Sequence, residues 1–175
     1  MKKLFMGILL ALFIASAMVS CGEKDEYAPP TGYVLASNED ADYCLYVPDE
    51  WVVDFTTAAA GAYYSKSDPS SVSVMAWNLE YSDSSLDDWW SANKEDIAMV
   101  FSDVEVVSEE NTTLDELYAK RYVYTATLGE NRYKFLQEAC IKNGYVYVFT
   151  YSSIEDNYDA HMDEVEEILS FVRIK

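Results

Sequence analysis

Catalysis needs side chains that move protons, attack carbonyls or hold metals, and this chain has few of them in useful combinations. It has one histidine, His161, and three cysteines, Cys21, Cys44 and Cys140. The helical neighbours of His161 at three and four residues are Asn157, Tyr158, Glu164 and Val165. That set offers no zinc constellation, which takes three or four ligands at recognisable spacing. His161 therefore reads as a residue on a helix surface. Ser152 or Ser153 with His161 and an Asp would make a triad on paper, but they fall on one local segment and no nucleophile-elbow pattern accompanies them. The acidic runs Glu39-Asp40-Ala41-Asp42, Asp83 with Asp87-Asp88, and Asp159 to Glu167 lack the spacing of a calcium loop and read as solvated faces. Paired carboxylates abound in so acidic a chain, and nothing selects one pair. No Gly-rich phosphate loop is present. The expectation is a protein without enzymatic activity, metal or cofactor.

Cys21 is the exception. Lys2 and Lys3 precede an almost continuous apolar run from Leu4 to Ile14, and Ala15-Ser16-Ala17 brings small residues toward a cleavage point. The run is shorter than the roughly 20 residues a spanning helix needs. Met18-Val19-Ser20-Cys21-Gly22 then resembles the lipobox of a bacterial lipoprotein signal, with Met18 where Leu is usual. The resemblance implies cleavage after residue 20 and acylation of the Cys21 thiol. One acyl chain gives only marginal membrane binding, whereas the diacylglyceryl group implied here gives durable anchoring. The expected place is the outer side of a cell membrane.

The expected organisation is a signal peptide over 1–20, a polar tether over 21–32 and one domain over 33–175. The domain is long enough for a real core. The net charge is −19, and loss of Lys2 and Lys3 makes the mature chain more negative still. Phosphate backbones and anionic headgroups are repelled by such a surface. Nucleic acid is thereby excluded as a partner, and membrane contact falls to the lipid. Hydrophobic residues make up 50% of the chain and aromatics 15%, which argues against disorder.

In the domain, Tyr43-Cys44-Leu45-Tyr46-Val47 alternates as a strand closed by Pro48. Short extended pieces are expected over 33–37, 51–55 and 62–65, and a stronger strand over 71–79. Ser67-Asp68-Pro69-Ser70 reads as a turn. Ser84 or Ser85 caps a helix whose apolar period runs through Leu86, Trp89, Trp90, Ile97, Val100 and Phe101. At that spacing at least one of Trp89 and Trp90 belongs to the core. Strands are expected over 104–108, 117–128 and 133–141. Asn143-Gly144 signals a tight hairpin into Tyr145–Tyr151, which is apolar on both faces and so belongs in mid-sheet. A last helix is expected from Ile154 to Phe171. Cys44 and Cys140, both in strands of an extracytoplasmic protein, are candidates for a disulfide between neighbouring strands; the alternative is two small buried hydrophobes. Tyr118, Tyr122 and Tyr124, provided they share one exposed face, form the candidate contact patch.

Strands plus two good helices point to an α+β sandwich around one antiparallel sheet. The segment Tyr43 to Trp51 resembles the strand, Pro and Trp opening of PsbP-like domains. The likeness continues through Asp68 to Val74, the Leu86 to Trp90 helix start, Tyr122-Val123-Tyr124, the Asn143-Gly144 hairpin and a closing helix ending at Phe171. It covers about residues 33 to 175 and implies a Mog1/PsbP-like fold, a twisted antiparallel sheet flanked by helices. Plant members are extrinsic photosystem II subunits, and other domains of this fold bind Ran or act as chaperones for secreted effectors. Their shared habit is binding another macromolecule without catalysis. The expectation is a membrane-tethered accessory protein contacting another envelope protein. The alternative is capture of a small ligand or carbohydrate in an aromatic cleft.

Overall fold

The structure is a computed structural model that describes residues 27–56, 60–79 and 84–175. The signal segment, Cys21, the first residues of the tether, Ala58-Ala59 and Asp83 lie outside the described residues.

The chain opens with short strands: β1 (Tyr33–Leu35), β2 (Tyr43–Cys44), β3 (Tyr46–Pro48), β4 (Val52–Asp54) and β5 (Ala60–Tyr63). Then come β6 (Ser71–Asn78), α1 (Leu86–Val100) and four long strands, β7 (Ser102–Leu114), β8 (Leu117–Leu128), β9 (Asn131–Lys142) and β10 (Tyr145–Ile154). A 3₁₀ segment (Glu155–His161), α2 (Met162–Phe171) and β11 (Arg173–Ile174) close the chain. Seven strands form one antiparallel sheet in the order β4-β5-β6-β10-β9-β8-β7, and the pairs β1–β3 and β2–β11 stand apart from it.

As its two-faced apolar pattern requires, β10 lies in mid-sheet between β6 and β9. Val146 and Val148 face one core with Leu86, Trp90 and Ile97 of α1, Tyr122, Tyr124 and Phe135. Tyr147, Phe149 and Tyr151 face the other, with Leu45, Val47 and Trp51 from the N-terminal segment and Val165, Ile168 and Leu169 of α2. The sheet is thus covered on both sides: α+β, in one domain. Residues 27–32 dock on β3 and the turn after it rather than hang free, because Tyr46 donates its hydroxyl to the Tyr27 carbonyl at 2.5 Å and the Asp49 amide bonds the Gly32 carbonyl at 3.0 Å.

Local chemistry accounts for the element ends. Ser85 caps α1 with a reciprocal pair, its hydroxyl accepting from the Asp88 amide and the Asp88 carboxylate accepting from the Ser85 amide, each at 3.1 Å. Asn143 and Gly144 both adopt positive φ, 53° and 78°, as a two-residue hairpin turn requires. Gly61 is held by close approach, since a Cβ there would lie 2.6 Å from the Val72 carbonyl oxygen.

The structure departs from the expected elements at several points, and the expected strand over 43–47 is divided at Leu45 into β2, paired with β11, and β3, paired with β1. The expected last helix is a strand end, a 3₁₀ turn and a ten-residue helix. Asp156, Asn157 and Asp159 favour local turns over helix, and the Tyr158 carbonyl accepts the Tyr151 hydroxyl at 2.9 Å. The expected strand 104–108 is part of a thirteen-residue β7, joined to β8 by Asp115 and Glu116, with φ of 48° and 63°. Asp tolerates this conformation through local hydrogen bonding, but Glu gains nothing there, and a left-handed L-residue costs about 1–2 kcal/mol. Glu116→Gly should therefore stabilise the fold by about 1 kcal/mol in urea unfolding, with Glu116→Ala giving no such gain.

Candidate functional site

The chemistry-bearing residues converge where the 65–70 turn meets the end of β10 and the start of α2. Asp68 is the hub. Its Oδ1 accepts from the Ser70 hydroxyl at 2.6 Å and the Ser70 amide at 3.1 Å. Its Oδ2 accepts from His161 Nε2 at 3.0 Å and Asn157 Nδ2 at 3.4 Å. His161 is buried, its ring 4.1 Å from that of Tyr64, which corrects the expected surface position. The 3₁₀ turn, rather than α-helix, rolls it inward. Beside it, Glu164 accepts the Trp51 indole N–H at 3.1 Å.

This cluster does not make a hydrolase. Acyl transfer needs the imidazole to take the serine proton, with the carboxylate behind the imidazole. Here the carboxylate stands between hydroxyl and imidazole. Ser153 touches Ser70 at 2.7 Å and Ser152 touches Ser71 at 2.9 Å, so neither reaches His161. Among the described residues no group of three or more His, Cys, Asp and Glu is placed to hold a metal ion.

Burial pushes the Asp68 carboxyl upward, but the Ser70 and His161 bonds outweigh it and hold it at about 2. A depressed carboxyl stabilises the fold above its ordinary pKa and loses that contribution as pH falls through the folded value. Asp68→Asn should thus cost about 2 kcal/mol at pH 7. It should also flatten the loss of stability between pH 4 and pH 2, measured by urea unfolding across that range.

On the same side of the sheet, Arg121 of β8 binds buried Glu138 of β9 at 2.5 Å and Glu166 of α2 through both terminal nitrogens at 2.6 and 2.8 Å. Burial pushes the Glu138 carboxyl up, and Arg121 pulls it back only in part. Beyond this trio opens a hollow of about 440 Å³ between α2 and the β7–β8 end, lined by Thr112, Thr113, Asp115, Glu116 and Arg173 besides the trio.

The opposite face holds an aromatic cleft. Trp77 of β6, 42% exposed, and half-buried Trp89 of α1 line a hollow of about 340 Å³ with Ala92, Asn93 and Asp96. Trp90 is the core member of its pair, stacked on Tyr122 at 4.0 Å and donating its indole N–H to Glu109 of β7 at 2.8 Å.

The tyrosine patch is not a patch. Tyr118, Tyr122 and Tyr124 do share one side of β8, but α1 lies over it. Tyr122 and Tyr124 are 0% and 2% exposed, while Tyr118 alone is open, donating its hydroxyl to Asn111 at 3.0 Å. Nor are Cys44 and Cys140 bridged: both are buried free thiols. Cys44 pairs with β11 outside the main sheet, whereas the cross-strand neighbours of Cys140 are Ala119 and Tyr147. Burial pushes the Cys140 thiol to about 12, which leaves it unreactive. Sequence reasoning placed Asp68 in a turn without seeing its role as hub, and it missed Glu138 and the full length of β7, which carry no motif. The only available signal was the β-branched Thr112-Thr113 beyond the expected end of the strand.

No family model matches the chain, and no curated protein matches it. Solved structures do match in fold. The chain is similar to the cyanobacterial PsbP (CyanoP) of Synechocystis, at 18% identity and TM-score 0.61, over 90% of this chain and 99% of that one. It is also similar to LpqN of Mycobacterium tuberculosis, described as involved in cell envelope biogenesis, at 16% identity and TM-score 0.58, over 82% and 90%. A Pseudomonas aeruginosa protein of unknown function matches at 13% identity and TM-score 0.54, over 77% and 92%. These likenesses establish a PsbP-like fold.

Proposed function

We propose that this is a lipid-tethered, extracytoplasmic, non-enzymatic accessory protein that contacts another envelope protein. The observation that carries the reading is the thirteen-residue β7, paired on one side only. Exposed Met99 and Val100 precede it, and exposed Val106 and Val107 lie within it. Exposed large apolar side chains close together in the chain are candidates for an interaction surface. The fold adds support, since its relatives include a protein of envelope biogenesis. The lipobox-like segment supports the tether. Among the described residues no helix is long and apolar enough to cross a membrane.

Two experiments bear on this reading. Cys21→Ser should abolish labelling with radioactive palmitate and partitioning into the detergent phase; full partitioning of a correctly processed, unacylated form would refute the anchor. A photo-cross-linking residue placed at Met99 or Val107 in intact cells should trap one envelope protein near stoichiometrically. Yields no higher than those from exposed Asp40, in the turn before β2, would refute the contact.

A second reading rests on the Trp77–Trp89 cleft, whose indole faces and the Asn93 and Asp96 polar groups suit a neutral sugar ring. In that case hexose oligomers should quench tryptophan fluorescence saturably, and Trp77→Ala should weaken binding and reduce the quench.

A further inference from the structure

The two edges of the main sheet differ. At one end β4 has three residues; at the other β7 has thirteen. A long open edge is a template for another strand, and proteins blunt such edges with bulges, prolines and charge. The first half of β7 is blunted, with register irregularities between Ser102 and Glu105 and between Val106 and Ser108. From Ser108 to Leu114 the pairing to β8 is regular and without a proline. Those seven residues span about 24 Å at strand rise.

This half is acidic. Glu110 lies opposite Arg121 in the register, on the side of the hollow. Arg121 is already taken by Glu138 and Glu166, and Glu110 makes no ion pair among the described residues. Glu116, at the rim of the hollow, makes none either, while Arg173 is 3.8 Å from Asp115. Positive charge in the hollow is therefore engaged, and negative charge is left over.

We propose that the Ser108–Leu114 edge of β7 accepts an added β-strand from a partner protein, an extended segment whose alternate positions carry Lys or Arg reaching the acidic hollow beside α2. Strand addition supplies backbone hydrogen bonds for affinity, and alternate side chains entering a pocket supply specificity. A second copy of this chain is a poor occupant, because β7 against β7 would set Glu109 and Glu110 against one another in a protein of net charge −19. The proposal rests on the accessory-protein reading and names its surface and the chemistry of its partner.

The test uses the full chain in neutral detergent and three ten-residue peptides. One alternates Lys with Thr and Val, one has Glu for Lys, and one keeps every Lys but has Pro between them and so cannot pair as a strand. Hydrogen exchange should show the alternate, outward-facing amides of residues 108–114 slowed about tenfold or more by the first peptide and unchanged by the others. Glu110→Lys with Glu116→Lys should weaken that peptide about tenfold; both sites are exposed, and Glu110→Gln with Glu116→Gln serves as the milder pair. Equal binding of the Pro-containing peptide, protection outside 108–114, no protection at millimolar peptide, or protection appearing with concentration of the chain alone would each overturn the proposal. Cross-linking from Met99 or Val107 to an envelope protein, with β7 amides unprotected, would leave the accessory reading intact and remove only this surface.

Discussion

The architecture depends on one strand that cannot be left exposed on either side. β10 carries Val146 and Val148 on one face and Tyr147, Phe149 and Tyr151 on the other, all buried. Each fully buried side chain of this size contributes about 1.5–3 kcal/mol relative to exposure. A strand like that forces a layer over each face. α1 supplies one, clamped by Trp90 stacking on Tyr122. α2 and the N-terminal strands supply the other, joined through Trp51, Glu164, His161 and Asp68. The polar cluster around Asp68 is thus the seam between the second layer and the sheet. It is polar because a turn, a strand end and a helix start meet there and leave backbone groups to satisfy.

Electrostatics works against the fold in general and for it at particular points. With 12 basic and 31 acidic residues, cations are scarce, and several of those in the described residues bridge elements. Arg121 joins β8, β9 and α2; Arg132 reaches Glu105 of β7 and Glu155 of the 3₁₀ turn; Lys120 ties β8 to Asp87 of α1. The exposed pairs are worth little singly, but Glu138, buried at 2% exposure, would be an uncompensated interior charge without Arg121. Spending the cations on structure leaves the β7 edge and the rim of the hollow negative.

Much of this was legible beforehand, and the reason differs by element. The mid-sheet position of β10 follows from two-faced apolarity, the hairpin from Asn143-Gly144, and the helix start from Ser84-Ser85, of which the structure uses Ser85. All are local patterns whose physics acts within a few residues. The core role of Trp90 was half legible, since the helical period said that one of two neighbours turns inward without saying which. The length of β7 was hidden because Glu109, Glu110 and Asn111 do not alternate, and an edge strand exposed on its open side has no need to. The Asp115-Glu116 turn was hidden because Glu is a poor residue for positive φ.

By itself, the amino-acid order determined the class of fold, the strand that sits at its centre, the strongly acidic charge, and the segment that resembles a lipid-attachment signal. Each depends on composition or on periods of two and 3.6 residues, which are properties of the chain alone. Only the tertiary structure decided which faces are covered. Tyr122 and Tyr124 lie beneath α1, His161 turns inward onto Asp68, Cys44 and Cys140 end in different sheets, and β7 is left with an open, acidic edge. Those outcomes depend on where a helix or strand distant in sequence comes to rest, and no local pattern carries that information.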